Sequence, residues 1–359
     1  MYEQIREDIF FILFYGIVTA MAMMASCYLL FRQGNAFAAD ITSPVRLRRW
    51  TAAFFAAFAL SHMWYMPIFF LTSSEDIEMA DLIGGVLDSL TVFPLLIIVL
   101  FVMLQDRRRP LWPVGVMMLP LLLGNTINAV TRSYVLLPML YAYFLLMCIG
   151  LTIYMVRALR QYGRWLRDNY ADLEHKEVWQ SFVVLAIILL VFAFYAFIYQ
   201  GPAYRYGMQL VSAVLIGYLL WRVETLGSLT SAPSPPLRGG GGEAVGPLLQ
   251  KYCIDTGLYL QHDLTLLQLA KAVGTNRFYL SQYFSSLGTN YNAYINDLRI
   301  RHFVRLYREA VAVKQPFTAQ QLAAESGFHH YRTFSNAFKH QTGQTVTSWI
   351  KAQQGRGEP

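Results

Sequence analysis

Long apolar runs alternate with short polar loops over the first 222 residues of the chain. Seven runs each approach the roughly 20 residues that an α-helix needs to cross a bilayer. The first is too long for a signal peptide and lacks a small-residue cleavage site, so we expect it to be retained. The fourth is the least regular, because Pro113, Pro120, Asn125 and Asn128 interrupt it. The runs lie at residues 9–31, 50–72, 82–104, 111–131, 134–156, 179–200 and 207–222.

The basic residues of the connecting loops fall on one side of the predicted membrane. Twelve lie after the first, third and fifth runs, against three in the N-terminal tail and the alternate loops. Cytoplasmic loops carry such an excess, so we expect the N-terminus outside and, after seven spans, the C-terminus inside. The twelve are Arg32, Arg46, Arg48, Arg49, Arg107, Arg108, Arg109, Arg157, Arg160, Arg164, Arg167 and Lys176.

Several polar residues interrupt the apolar runs at membrane depth. His62 lies near the middle of the second run and Asp88 toward the outer end of the third, while Asn125 and Asn128 lie in the fourth, near Arg132. Ionisable groups in a membrane are costly and often functional. Asp88 and Arg132 are expected to pair. Two interpretations stay open: hydrogen bonds between helices, or a ligand-sensing pocket on the outer side.

The membrane half carries no recognisable catalytic constellation. It contains no HExxH motif, no paired His–acid metal set and no nucleotide-binding loop, and the last run lacks the lysine that a retinal protein requires. Cys27, Cys148 and Cys253 are isolated, which argues against a disulfide framework or a structural zinc site. We therefore expect neither an enzyme nor a bound cofactor or metal.

Composition divides the chain into two halves with different partners. The chain is 55% hydrophobic and only 14% charged, yet 12 basic and 6 acidic residues follow residue 246 and supply +6 of the net +7. A basic segment of this kind suits nucleic acid or anionic lipid. Between the halves, residues 223–246 include SAPSPPLRGGGG, a composition typical of a flexible tether.

Residues 247–355 have the periodicity of an all-helical domain. Asp263 or Thr265 can cap a helix that ends at Gly274, and a second helix then begins at Arg277. A long basic helix over 291–309 follows, with Ile295, Leu298, Phe303 and Leu306 as its predicted inner stripe.

The same plan recurs in the last third of this region. Thr318 is the expected N-cap of a short helix, and Gly327 stands where a C′ glycine belongs. Phe334 and Phe338, at spacing i, i+4, define the inner face of a second helix with a polar, basic outer face. Helix, glycine turn and polar helix is the helix-turn-helix plan; an ordinary αα-hairpin is the alternative.

A longer set of positions in this region carries a family resemblance. The residues are Leu269, Ala270, Gly274, Leu280, Phe284, Leu298, Arg299, Leu322, Ala323, Gly327, Phe328, Phe334, Phe338, Lys339 and Gly343. On these residues the segment from Leu249 to Ile350 resembles the DNA-binding domain of AraC/XylS-family transcription regulators. Two positions depart from the family pattern: Phe303 replaces a small residue, and Thr345-Val346 replaces Ser/Thr-Pro. The resemblance covers under a third of the chain.

The resemblance implies two recognition helices that enter successive major grooves on one side of a DNA duplex. Donor geometry favours Arg332 for guanine, and Gln282 or Asn336 for adenine. Lys339 and the joining-helix arginines, Arg299 among them, are expected to hold phosphate. The matching exposed positions are Arg277, Tyr279, Ser281 and Gln282 in the first helix and His330, Tyr331, Arg332, Ser335 and Asn336 in the second.

Together these observations predict an all-α, membrane-tethered transcription regulator in the inner (cytoplasmic) membrane of a bacterium. Its expected parts are a seven-helix membrane domain (1–222), a linker (223–246), a cytoplasmic DNA-binding domain (247–355) and a short disordered tail (356–359). The expected partners are double-stranded DNA and the membrane; RNA polymerase, an unidentified ligand on the outer side and a second copy of the chain are further candidates. The alternatives are a membrane transporter or enzyme with a regulatory DNA-binding tail, and a scaffold whose basic tail rests on anionic lipid.

Overall fold

The computed structural model describes residues 8–32, 35–37, 42–173, 176–198, 202–229 and 245–354, with side chains described outside 189–198 and 202–204. Helices account for the regular structure of these residues, so the all-α prediction is confirmed. The chain divides into two compact units. The first takes in residues up to Tyr162 and Val178–Thr230, and the second takes in Gly163–Glu177 and the residues from Ser231 onward.

The first unit contains the apolar helices. In chain order they are α1 (Ile9–Phe31), α2 (Val45–Tyr65, extended by a 3₁₀ turn to Phe69), α3 (Ser74–Leu90), α4 (Val92–Met103), α5 (Trp112–Thr131), α6 (Leu137–Asn169), α7 (Trp179–Ile198) and α8 (Pro202–Thr225). The boundary between the two units falls inside α6, whose residues after Tyr162 belong to the second unit.

Six stretches of the described helices are long and apolar enough to cross a membrane. Five correspond to α1, α2 with its 3₁₀ extension, α5, α6 and most of α8, while α3 and α4 together form one stretch, Ser74–Met103. Helix α7 coincides with the sixth predicted run, but its described apolar side chains cover only Trp179–Ile188. Membrane-capable helices in the N-terminal part are therefore confirmed, whereas the count of seven stays a prediction.

His62 joins three helices of the first unit by hydrogen bonds. Its Nδ1 lies 3.0 Å from the Phe58 carbonyl oxygen and its Nε2 lies 3.2 Å from Gln209 Oε1 on α8. The Tyr15 hydroxyl of α1 donates to the His62 carbonyl. Asn125 donates to Ser89 at 3.2 Å, which links α5 to α3 in the same way. These contacts favour the interhelical interpretation of the polar residues.

The expected pair of Asp88 and Arg132 is wrong. Among the described residues no ion pair joins them, and Arg132 is exposed at the end of α5, where it adopts a left-handed conformation with φ 48°. Asp88 instead lies beside Ser61, Trp64 and Tyr65 of α2. The pair does not form because Arg132 lies at the exposed end of α5, whereas the neighbours of Asp88 come from α2.

Asn128 is buried near that helix end. Its Oδ1 accepts a long hydrogen bond of 3.4 Å from the Leu136 amide, between α5 and α6, and its Nδ2 has no partner among the described residues. The Asn128 side chain therefore contacts the turn between the two helices.

The end of α8 is held by a buried polar cluster. Glu224 is fully buried and accepts hydrogen bonds from Arg48 of α2, from the Tyr28 hydroxyl at 3.0 Å and from the Ala36 amide at 3.2 Å. The predicted linker, 223–246, therefore begins inside a fixed helical turn. Its residues 230–244 and the predicted tail 356–359 lie outside the described residues.

The second unit is built on one long helix. Its elements are α9 (Val245–Leu249, followed by a π-turn to Ile254), a 3₁₀ turn Leu258–Leu260, α10 (Leu266–Val273), α11 (Arg277–Ser286), α12 (Tyr291–Ala312), α13 (Ala319–Glu325), α14 (Tyr331–Thr342) and α15 (Val346–Gln354). Helix α12 contributes Ile295 to one hydrophobic core and Ile300 and Phe303 to a second. Helix α12, which we call the spine, therefore joins the helix pair that precedes it to the helix pair that follows it.

Candidate nucleic-acid interface

The first helix pair, α10 and α11, is defined by local capping. Thr265 forms a capping box with Gln268, so the predicted choice between Asp263 and Thr265 resolves to Thr265. Gly274 ends α10 with φ +75°, a left-handed conformation that glycine adopts without steric cost. Asn276 then accepts a hydrogen bond from the Tyr279 amide and starts α11. A tight turn thus sets α11 against α10.

The second pair, α13 and α14, repeats this construction. Thr318 caps α13 by accepting a hydrogen bond from the Gln321 amide, as predicted. Gly327 follows with φ +90°, and a Cβ added there would meet the carbonyl oxygen of Leu260 at 2.7 Å. Glycine is therefore required twice over, for its backbone conformation and for the close approach of another main-chain segment.

An aromatic cluster anchors α14 to α12. Phe334 and Phe338 are fully buried, and their rings lie 4.5 and 5.7 Å, centroid to centroid, from the ring of Phe303. Trp349 of α15 closes the cluster 5.5 Å from Phe338. Phe303 is thus the centre of this core, and its size is accommodated by tilted and edge-on ring packing. The face of α14 opposite the two phenylalanines is left to solvent.

The predicted base-reading residues of α14 lie on that outer face. Tyr331, Arg332, Asn336 and Lys339 are exposed. His330 and Ser335 are half-buried at its margins. A guanidinium, an amide and an ammonium group therefore project from a single helix surface. Groups of these kinds can donate hydrogen bonds to base edges and to phosphates.

The corresponding face of α11 contains one residue that the sequence prediction missed. Gln282 is exposed, and Arg277, Tyr279 and Ser281 are half-buried. Phe278 is 69% exposed and lies one turn before Gln282, opposite the buried Leu280. The signal was available, because Phe278 is four residues from Gln282 and so shares its helix face. An exposed aromatic ring there is suited to a thymine methyl group.

Arg299 does not take the phosphate-binding role expected of it. Its side chain is 0% exposed, its Nε donates to the Tyr259 carbonyl at 2.8 Å, and its Nη2 donates to the Gln261 carbonyl at 2.7 Å. The expectation is wrong because Arg299 lies on the inner stripe of α12, four residues after Ile295 and four before Phe303. The guanidinium holds the loop before α10 in place of contacting DNA.

The other arginines of α12 remain at the surface. Arg301 forms an ion pair of 2.6 Å with Asp297, and Arg305 forms a longer one of 3.7 Å with Glu309, both at i, i+4 spacing. Exposed pairs of this kind are weak and easily exchanged. Arg301, Arg305 and the exposed Arg308 are therefore the members of this helix that remain available for phosphate.

Comparison with known families supports this part of the chain alone. Residues 269–352 match the family model of a helix-turn-helix domain of the AraC type. No curated protein sequence and no solved structure matches the chain. An AraC-type domain of this kind points to a DNA-binding regulator, and six described stretches ahead of it are long and apolar enough to cross a membrane.

Proposed function

We propose that the protein is a membrane-tethered, sequence-specific transcription regulator that reads DNA with two recognition helices, α11 and α14. The observation that carries this is the repeated unit on α12: two helix pairs, each with a tight glycine turn and a second helix whose polar face opposes its buried residues. Each recognition helix would enter a major groove, with the grooves one helical turn apart.

In this proposal the outer faces of α11 and α14 each supply side chains that contact DNA. Arg332 can bind guanine through its paired nitrogens, while Gln282 and Asn336 can each bind adenine. Phe278 contributes apolar contact with thymine. Lys339 lies one turn beyond Asn336 on α14 and holds the backbone in register, because a lysine acts as a point charge toward phosphate.

The second unit also supports the proposed topology. Residues Gly163–Glu177, at the cytoplasmic end of α6 by the positive-inside rule, belong to the same compact unit as the helix pairs. The loop after α6 and the DNA-binding helices then lie on one side of the membrane. Seven spans with the N-terminus outside give this arrangement in the inner membrane of a bacterium, where the tail meets the chromosome.

The first unit acts as sensor or anchor in this proposal. A sensing role rests on the polar side chains within the bundle, among them His62, Asp88 and Gln209. Replacing His62 and Asp88 by Leu and Asn tests it: expression of the target genes would then no longer respond to the inducing condition, whereas unchanged response would leave only the anchoring role.

DNA binding by the full chain in lipid nanodiscs tests the proposal. A duplex selected by the wild-type protein from a random-sequence pool serves as the probe, and its affinity should fall steeply with salt, with a log–log slope of about −0.9 for each neutralised phosphate. Arg332→Ala should weaken binding to that duplex by about 1–3 kcal/mol, and Lys339→Ala should weaken binding to all sequences alike and reduce the salt slope by about 1.

A matched control is Lys271→Ala, because Lys271 is an exposed cation of α10, outside both recognition helices. It should leave sequence preference intact. The proposal fails if the folded full chain selects no duplex from the pool, or if the affinity is insensitive to salt.

A further inference from the structure

A short segment from far upstream is built into the DNA-binding unit. Residues Tyr170–Asp172, which we name the strap, follow directly after α6. Ala171 is 0% exposed and belongs to the same hydrophobic core as Leu264 and Ile295. A side chain at that depth shows that the strap is part of the folded unit and not a loop resting on its surface.

Hydrogen bonds fix the strap to the joining helix and to the first helix pair. Asn292 donates to the carbonyls of Tyr170 at 3.1 Å and Ala171 at 2.6 Å, and Asn296 donates to Ala171 at 3.3 Å. Tyr170 also forms an antiparallel bridge with Thr265, the N-cap of α10. Both strap carbonyls that point into the domain are therefore satisfied by side chains of α12.

The strap reaches the start of both recognition helices. Burial raises the pKa of the Tyr170 hydroxyl, while the positive charge of Arg277, the first residue of α11, partly offsets that rise. At the other end, the Thr333 hydroxyl in the first turn of α14 lies 3.2 Å from Asp172 Oδ1. Asp172 is only 5% exposed there. One short segment thus spans the gap between the two helices.

The position of the Asp172 carboxylate is one that suits a DNA phosphate. Helix N-termini attract anions through their free amides and dipole. Thr333 is adjacent to Arg332 and three residues before Asn336, so the carboxylate lies at the edge of the proposed base-reading face. The phosphates of a DNA backbone entering beside α14 would be repelled by this buried negative charge, and DNA could bind there only by displacing it.

We infer that the strap is an intramolecular competitor of DNA, with the Asp172 carboxylate in the place of a backbone phosphate. The inference rests on the proposed function, since it concerns regulation of the same surface. The strap continues α6, which contains one of the membrane-capable stretches. Movement of that helix along or about its axis would therefore pull on a segment that controls access to DNA.

The test compares two single-charge changes in the full chain in lipid nanodiscs. Asp172→Asn keeps a side chain able to accept from Thr333 but removes the negative charge. Asp168→Asn removes one charge from the exposed surface of α6, four residues earlier, and is the matched control. With the selected duplex, we expect Asp172→Asn to tighten binding about fivefold or more, within the usual range of coupling between sites. Asp168→Asn should change it less than twofold, because an exposed charge is screened by salt.

Hydrogen–deuterium exchange supplies a second measurement that does not depend on a variant. Coupling between two ligands of one surface is reciprocal, so saturating DNA should speed amide exchange in residues 168–173 of the wild-type protein.

The outcomes separate this inference from the proposed function. DNA binding that is equal in Asp172→Asn and Asp168→Asn, or slower exchange of the strap on adding DNA, would overturn the competition and leave the regulator intact. Weaker binding by Asp172→Asn would show that the strap organises the site and would also overturn it. Absence of DNA binding in every variant would remove both proposals.

Discussion

The guanidinium of Arg299 lies 5.6 Å from the centroid of the Phe328 ring, over its face. Arg299 comes from the middle of the joining helix, and Phe328 from the turn of the second helix pair. Since the same guanidinium also donates to the carbonyls of Tyr259 and Gln261, one side chain ties together the loop before the first pair, the spine and the second pair.

Replacing Arg299 by Ala is therefore expected to destabilise the DNA-binding unit by about 3 kcal/mol, because several buried carbonyls lose a charged donor. Arg301→Ala is the control. Arg301 is exposed and paired only at i, i+4, so its loss should cost about 0.5 kcal/mol or less. Hydrogen exchange of the α12 amides in the full chain measures both values. Equal losses for the two variants would contradict the structural role of Arg299.

Gly327→Ala should be more damaging than the same change at Gly343. Both glycines have positive φ, +90° and +73°, so each substitution carries backbone strain of about 1–2 kcal/mol. At Gly327 the new methyl group would also meet the Leu260 main chain at 2.7 Å, whereas at Gly343 no described atom lies within 4 Å. Thermal unfolding of the two variants measures the difference, and an equal loss at both sites would refute the close approach.

Phe278→Ala should remove sensitivity to thymine methyl groups. Replacing thymine by deoxyuracil, one position at a time in the selected duplex, should weaken wild-type binding by roughly 1 kcal/mol at the contacted base, the value of one buried methyl group. The Phe278→Ala protein should bind both duplexes equally. Leu287→Ala is the control, because Leu287 is also an exposed apolar residue but lies at the end of the same helix. A contact is excluded if no position shows this coupling.

Cys253 should resist alkylation while the domain is folded. Burial is the main cause that raises the pKa of its thiol to about 11, so at pH 8 the reactive thiolate is a minor species and the side chain has no access to solvent. In a protein with Cys27 and Cys148 replaced by Ser, iodoacetamide should label Cys253 at least about 100-fold more slowly than in urea. Rapid labelling of the native protein would show that this core opens.

Local features of the second unit were predictable because short-range chemistry decides them. The caps at Thr265 and Thr318, the glycine turns and the buried Phe334 and Phe338 follow from residue type and spacing within about one helical turn. The burial of Arg299 could also have been predicted from the sequence. Ile295, Arg299 and Phe303 follow one another at i, i+4 spacing on one face of α12, and this position on the inner face outweighs the polar character of arginine.

Long-range pairings were not predictable in the same way. Asp88 and Arg132 were matched by charge and depth, but the rotation of each helix about its axis decides which groups meet, and no local pattern encodes it. The strap contains no motif, and its partners Asn292 and Asn296 are distant in sequence. A single buried alanine and hydrogen-bonded backbone carbonyls produce no hydrophobic pattern in the sequence. The contacts of the strap therefore become visible only in the folded chain.

The burial of Ala171 also has a practical consequence for chimeric regulators. Residues 245–354 are contiguous and carry both helix pairs, so they are the natural piece to graft onto a foreign receptor. Cut out alone, that piece would present an empty socket beside Ile295 and Leu264, and Asn292 and Asn296 would lose the strap carbonyls to which they donate. A graft that also carries Tyr-Ala-Asp directly after a helix would fill the socket, and the strap contacts would then be kept in the chimera.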